Sequence, residues 1–249
     1  MVKLSVAIIT LNEEEKLASC LASIKDLADE IIVVDSGSQD KTVEIAKSFG
    51  AKLFTRKFDN FADQKNWAAS KASGEWILSI DADEVIPPKL AEEIKKAIKS
   101  EEYIGYLIPR RNFILGGEIK HSRWSPDKHI WLWKKDYGLW KGDVHEEVEV
   151  TGLVGELKTG KIHYQDKSVG EFIKGNKLYA KILAEKMFRD GERFSLVRFF
   201  WDPFFEFSIR FLYKKGFLDG WRGFVLASLM AFYKVDVWRN ILILNFTKR

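Results

Sequence analysis

The sequence predicts an α/β domain on a mostly parallel sheet, followed by a helical C-terminal extension. Three observations carry this expectation. Short apolar runs at 4–10, 31–35 and 76–80 are too brief for helices, and they alternate with segments of helical period. The second and third of these runs lead directly into acids, Asp35 and Asp81, as buried strands do when their polar residues cluster at the carboxyl edge of a sheet. Past residue 168 the strand-like runs stop and helical spacing takes over.

Taken in order, strand 4–10 is followed by Asn12, the acids Glu13, Glu14 and Glu15, and apolar positions Leu17, Cys20, Leu21 and Ile24. This reads as a helix opened by a capping box, Asn12 accepting from the backbone three residues on while Glu15 reaches back. Strand 31–35 comes next, and Ser36-Gly37-Ser38-Gln39-Asp40 turns the chain into a helix over 41–49 with Gly50 as its stop. Residues 51–55 form the third strand. A helix between Asn60 and Ser73, small on one face through Ala62, Ala68, Ala69 and Ala72, ends at Gly74. Pro87-Pro88 then opens an exposed helix to about Ser100.

With 249 residues and 46% hydrophobic content, the chain can bury a sizeable core as one domain with an appended subdomain. The single cysteine, Cys20, excludes an internal disulfide framework and a Cys-rich metal site, and its apolar setting points to packing in a reducing cytoplasm. The first residues are too short an apolar run for a signal-peptide core, and no window reaches the ~18 uninterrupted apolar residues of a membrane-spanning helix. The formal charge of +4 is uneven: residues 186–249 hold 12 Lys/Arg against 6 Asp/Glu.

The stretch Trp76 to Glu84 organises the N-terminal half. An apolar strand delivers Asp81, Asp83 and Glu84 to the edge where α/β sheets bind ligands. Two hard oxygen donors separated by a small Ala suit Mg²⁺ or Mn²⁺ carrying a diphosphate, the competing reading being a solvated acidic turn. Neither G-x-G-x-x-G nor G-x-x-x-x-G-K-[ST] occurs, so dinucleotide and P-loop sites are excluded and a metal must do much of the diphosphate neutralisation. Asp35 reads either as an acceptor for a base N–H or as an acid that holds its own turn. Residues 1–102 are thus expected to form a nucleotide-binding half, 103–168 the remainder of the same domain, and 169–249 the extension.

Thr10-Leu11-Asn12-Glu13-Glu14, Val34-Asp35-Ser36-Gly37-Ser38-Gln39-Asp40, Gln64-Lys65-Asn66-Trp67 and Asp81-Ala82-Asp83-Glu84, in this order and spacing, resemble the family-2 inverting glycosyltransferases of the Rossmann-like A-type fold. Within that family the chain is most similar to small bacterial enzymes that add β-linked glucose to the lipopolysaccharide inner core. The resemblance implies that Thr10, Asn12, Glu13 and Asp35 line a nucleoside site, that Lys65 lies near base or phosphates, and that Asp81 and Asp83 hold a nucleotide-sugar donor and its metal. Lys65 stands where an arginine is common, keeping the charge and losing the bidentate fork.

Residues 103–168 are then expected to bind the acceptor. The segments 106–113 and 129–134 read as aromatic-rich strands whose rings either stack on sugars or pack in the core. Trp131 stands where relatives often place an arginine, so any phosphate contact from this strand must come from Lys134 or Arg123, or be absent. Gly142-Asp143-Val144-His145-Glu146-Glu147 resembles the family's x-G-x-V-H-E segment. It implies Glu146 as the general base, with Asp143 and Glu147 as alternatives, and His145 or His163 as a further metal ligand.

The tail begins with an amphipathic helix through Lys177, Leu178, Ile182 and Met187 that stops at Asp190-Gly191. Residues 186–249 carry 17 of the chain's 34 aromatics, interleaved with Arg198, Arg210, Lys214, Lys215 and Arg222. An anchor on the inner face of the cytoplasmic membrane, a packed subdomain and a nucleic-acid surface compete; the continuous Phe199-Phe200-Trp201 and Phe204-Phe205 runs disfavour nucleic acid. The resulting expectation is a metal-dependent hexosyltransferase moving glucose from UDP-glucose to a lipid-linked saccharide. The alternative is a non-catalytic glycan- or lipid-binding protein that retains the fold.

Overall fold

The computed structural model describes residues 3–142, 146–165 and 168–247. The chain divides into two units, one of residues 1–111 and 127–164, the other of 112–126 and 165–249. Segment 112–126, expected with the acceptor half, groups with the C-terminal helices.

In the first unit the elements run β1 (Leu4–Thr10), α1 (Leu17–Ile24), β2 (Glu30–Asp35), α2 (Thr42–Ser48), β3 (Lys52–Thr55), α3 (Phe61–Ser70), β4 (Trp76–Asp81), β5 (Glu84–Val85) and α4 (Pro88–Ala97). Then follow β6 (Gly105–Ile114), whose last residues belong to the second unit with β7 (Gly117–Ile119), and β8 (Lys128–Lys134), β9 (Gly138–Lys141), β10 (Glu147–Val150), β11 (Val154–Glu156) and β12 (Lys161–Gln165). The sheet order is β3-β2-β1-β4-β8-β6-β12-β5, with β11 on β6. Strands β3, β2, β1 and β4 are mutually parallel, and β8 joins β4 antiparallel. The α/β class read from the sequence is the observed one.

Why these strands sit at the centre follows from their composition. Leu4, Val6 and Ile8 of β1 and Ile77 and Leu78 of β4 have no exposed surface. Full burial of such side chains is worth roughly 1.5–3 kcal/mol each. Helix α1 seals one face with Leu17, Cys20, Leu21 and Ile24 at helical spacing, so Cys20 is a packing residue. Gly74 is needed just before β4, because a Cβ there would lie 2.6 Å from Ser5 Oγ and 2.9 Å from the Ser5 nitrogen.

The capping box expected at Asn12 does not form. Helix α1 starts at Leu17 without a side-chain cap, and Asn12 adopts a left-handed φ of 55°. Its Oδ1 accepts from Gln39 N at 2.8 Å and its own N–H donates to Ser38 Oγ at 2.8 Å. The residue ties the loop after β1 to the loop after β2, a long-range use that local spacing does not reveal.

In the second unit α5 (Val169–Arg189) opens with a capping box of Ser168 and Glu171 and stops at Asp190, as its spacing predicts. It packs through Ala180 and Ala184 against Val237, Trp238 and Ile241 of α7 (Gly220–Thr247). Between them in sequence lies α6 (Leu196–Ser208), whose Asp202 accepts from Trp238 Nε1 at 2.8 Å. Ile114, Ile119, Phe172, Leu226 and Leu229 make a second cluster. No helix among the described residues is long and apolar enough to cross a membrane.

At the start of β2, the opposite end from Asp35, Glu30 takes hydrogen bonds from Ser5 Oγ at 2.5 Å, Ser73 N at 2.8 Å and Ser73 Oγ at 2.9 Å, and pairs with Lys52 at 2.5 Å. Burial pushes its carboxyl up, but these donors outweigh it and hold the group at about 2, against an ordinary 4.5. A carboxyl depressed on folding stabilises above its unfolded value and loses that contribution as pH falls through the folded one. Glu30→Gln is therefore expected to lower stability by about 3 kcal/mol at neutral pH and by almost nothing near pH 2. Urea unfolding of both proteins across that window measures the difference.

Candidate active site

Register places the candidate acids at one edge of the sheet. Thr10 pairs with Asp35 across β1 and β2, and Ile9 pairs with Asp81 across β1 and β4, so three strand ends finish level. The loops beyond them are strapped together. Glu13 N donates to Thr42 Oγ1 at 2.7 Å and Glu14 N to Asp40 Oδ2 at 3.1 Å.

Asp35 is buried and its carboxylate is fully engaged. Gly37 N and Ser38 N each donate to Oδ2 at 2.9 Å, while Ser38 Oγ at 2.5 Å and Thr10 Oγ1 at 3.2 Å donate to Oδ1. These are the bonds of an acid that holds its own turn. Beside it Gln64 is fully buried, giving its amide N–H to Ser36 Oγ at 3.1 Å and leaving Oε1 without a partner.

Helix α3 contributes the centre of the arrangement. It presents Ala62 and Ala68 to the sheet, and these small residues leave space for Lys65 to be buried beside them. Lys65 Nζ lies 3.2 Å from Asp81 Oδ1 and 3.0 Å from Glu146 Oε1. It also rests 4.5 Å from the Trp140 ring centroid. Burial pushes the ammonium down, but Asp81 and Glu146 more than compensate and its pKa is raised. For Asp81 burial acts upward, and the ammoniums of Lys65 and Lys161 outweigh it to hold the carboxyl well below the usual range.

The next residue fixes the strand that precedes Glu146. Asn66 Nδ2 donates to Trp140 O at 2.9 Å and Asn66 Oδ1 accepts from Trp140 N at 2.9 Å, so one side-chain amide satisfies a whole backbone unit of β9. The hairpin of β9 and β10 pairs Lys141 with Glu147. Glu146 is half-buried; Glu147 is exposed and lies 3.5 Å from His129 Nδ1. Asp143 and His145 lie outside the described residues.

Asp83 Oδ2 lies 3.2 Å from His163 Nε2. Glu13 is raised by burial and then by the charges of Asp83 and Asp81, which marks this side of the site as electronegative. Among the described residues no three His, Cys, Asp or Glu side chains converge as a ready cage for a metal. Asp81 and Asp83 do offer the hard carboxylate oxygens that Mg²⁺ takes alongside phosphates and water, with His163 beside Asp83.

Two cations at this edge had no signal in the sequence. Lys161 of β12 and Glu84 are both fully buried, 2.5 Å apart, and Lys161 Nζ lies 3.0 Å from the Trp131 ring centroid. Burial pushes Lys161 down to about 8 against the pull of Glu84 and Asp81. Arg110 of β6 pairs with Asp127 at 2.7 Å and reaches to 3.9 Å from Glu84. Lys134, by contrast, pairs in register with Trp76 and contacts Glu75, at the opposite end of β4 from Asp81. Of the two residues named for a phosphate contact, Lys134 is therefore placed away from this edge. Trp131, Trp133 and Trp140 are buried in the core, which decides those rings for packing.

Residues 5–154, which carry Asp35, Lys65, Asp81 and Glu146, match Glycosyl transferase family 2. The chain belongs to that family. An uncharacterized glycosyltransferase of Rickettsia typhi is 30% identical over 93% of this chain and 84% of its own. The lipopolysaccharide core biosynthesis glycosyltransferase LpsC of Rhizobium meliloti is 28% identical over 92% of this chain and 88% of its own. The S. aureus TarS structure in complex with UDP-GlcNAc covers 99% of this chain and 92% of that one with a TM-score of 0.51. At 16% identity that likeness concerns the fold, and it agrees with the A-type class expected from the motifs.

Lys65→Met is expected to leave two carboxylates facing one another, Glu146 then having no ion-pair partner among the described residues. The variant should lose about 1–3 kcal/mol at neutral pH. The deficit should shrink as pH falls and the acids protonate, whereas an exposed, unimportant lysine would give no loss at any pH. Melting temperatures of both proteins between pH 2 and 8 check this, because Asp81 is held well below the usual carboxylate range.

Proposed function

We propose that the protein transfers a hexose, glucose from UDP-glucose, with inversion onto a lipid-linked saccharide such as a lipopolysaccharide inner core. The observation that carries this reading is the Lys65 ammonium, which brings Asp81 of the acidic turn and Glu146 to a single centre. Thr10, Asn12 and Glu13 shape the nucleoside side, with Asp35 and Gln64 holding the loop beneath it. A Mg²⁺ or Mn²⁺ ion held by Asp81 and Asp83, with His163 beside them, would supply charge neutralisation for the leaving diphosphate. Glu146 takes the acceptor hydroxyl proton as that oxygen attacks the anomeric carbon from the face opposite the diphosphate. Lys65, freed from Glu146 as the donor enters, adds a second positive charge near the leaving group.

Glu146→Gln is expected to lower transfer about 10²–10⁴-fold while binding UDP with Mn²⁺ normally. Asp83→Ala should instead lose both transfer and the metal dependence of UDP binding. Near-normal transfer by Glu146→Gln would assign the base elsewhere. A wild-type protein that neither transfers nor slowly hydrolyses any nucleotide sugar would be a binding module of the same fold.

The second unit supports a place on the inner face of the cytoplasmic membrane. On α6 the apolar side is outward: Leu196, Val197, Phe200, Trp201, Phe204 and Phe205 recur at helical spacing and each is more than half exposed. The polar side is inward, where buried Glu206 pairs with Arg210 at 2.5 Å and with Arg123 at 3.2 Å. Arg210 and Arg123 are therefore structural, and Arg222 is bound to the Leu115 and Gly116 carbonyls. Lys214 and Lys215, which follow α6, are an exposed basic pair open to anionic headgroups.

Neutralising Lys214 and Lys215 is expected to weaken binding to anionic vesicles by about 1 kcal/mol each, an effect that salt removes. Phe204→Ser with Phe205→Ser should remove the salt-resistant part and leave the melting temperature unchanged. Sedimentation with vesicles and thermal melts read the two effects. A large fall in melting temperature together with indifference of wild type to vesicles would make the face a packing surface.

A further inference from the structure

Strand β12 stands directly behind the acidic turn and touches it at several points. Glu84 and Val85 of β5 pair with His163 and Ile162, and Tyr164 N donates to Asp83 O at 3.1 Å. One atom joins the turn to the core. Glu84 Oε2 accepts the Asp81 N–H at 2.9 Å and receives Lys161 Nζ at 2.5 Å. Neither Glu84 nor Lys161 has any exposed surface. Lys161 is further held against the Trp131 ring, and Arg110 lies 3.9 Å from the second Glu84 oxygen.

Stability does not account for such a pair. Removing two charges from water costs several kcal/mol per ion, and well-packed apolar residues of similar volume are often as stable or more so. What the pair does that apolar residues cannot is fix the backbone at Asp81. A carboxylate oxygen held in place by a buried ammonium is a directional, charge-assisted acceptor for that N–H. The turn is thereby gripped by its main chain, while the side chains of Asp81 and Asp83 each lie 3.2 Å from a cationic or imidazole partner, Lys65 and His163.

We propose that Lys161 and Glu84 are positioning residues for the donor: a buried ion pair that sets the shape of the Asp81–Asp83 turn receiving the diphosphate and its metal. This rests on the donor-site reading given above. Lys161 does not touch the donor. Its influence passes through Glu84 to the Asp81 backbone and through its charge to the Asp81 carboxylate, so it is read in the affinity for nucleotide with metal and in the donor KM more than in kcat.

Two variants of the full chain test this. Glu84→Gln keeps an acceptor for the Asp81 N–H and loses the charge that anchors it. Glu84→Gln with Lys161→Met removes both charges at nearly constant volume. UDP binding with Mn²⁺ is measured by calorimetry, folding by thermal melt, and donor KM and kcat by transfer or hydrolysis of UDP-glucose. The expected result is that both variants fold, bind UDP with Mn²⁺ at least tenfold more weakly than wild type, and show a raised KM with a smaller change in kcat. A folded variant that binds within twofold of wild type overturns the proposal. Failure of both variants to fold also overturns it, since the pair would then be a folding element. Wild-type protein that binds no UDP with Mn²⁺ overturns the donor-site reading first and this proposal with it.

Discussion

Parallel pairing of β1 with β2 and β4 is the constraint on which the site depends. Parallel strands end on the same side, so the polar residues that close each apolar run arrive together without any local motif bringing them there. Thr10 and Asp35 meet in register, and Asp81 is level with Ile9 one strand away. The remaining sheet serves that edge. Strand β8 continues the sheet antiparallel to β4, β6 pairs antiparallel with β8, and β12 returns to brace the turn that follows β4.

Concentrating carboxylates at one edge carries an electrostatic cost, and the chain meets it with cations placed inside the protein instead of in solvent. Lys65 lies in front of Asp81 and Lys161 behind it, and both ammoniums rest on indole faces, Trp140 for one and Trp131 for the other. Tryptophan is suited to this, because its quadrupole attracts a cation while its bulk excludes water. The rings that composition allows as sugar platforms thus serve as the floor beneath the charges. In the second unit the same economy is reversed: charges pair inside, at Glu206 and Arg210, and aromatic rings face outward.

The order of strands and helices in the first hundred residues was legible from apolar spacing, because fully buried parallel strands and one-faced helices leave periodic signatures. Asp81, Lys65 and Glu146 could be picked out because they sit within contiguous motifs, and the structure brings those three together. The roles of Asn12 and Asp35 were harder to read, since both act through bonds to a loop or turn whose geometry is set by the neighbouring strand. Lys161 and Arg110 left no trace at all: each is an isolated basic residue in a strand, and its meaning arises only when sheet order sets it beside Glu84. Arg210 and Lys214 look alike in sequence, yet one is sealed against Glu206 and the other is open to solvent. Charge count along a helix does not reveal which face turns inward.

The clamp of Asn66 on Trp140 has a consequence for which residues the position can hold. A backbone unit presents one donor and one acceptor, and the Asn amide answers both at 2.9 Å. Aspartate has the same shape and two acceptors, so it would set a lone pair against the Trp140 carbonyl. Leucine has the same size and offers neither group. Glutamine carries both groups on a stem one carbon too long for a helix at this distance from the strand. Mutational tolerance here should therefore be nearly binary, in contrast to neighbouring Trp67, whose partly buried ring can give way to other apolar shapes at graded cost.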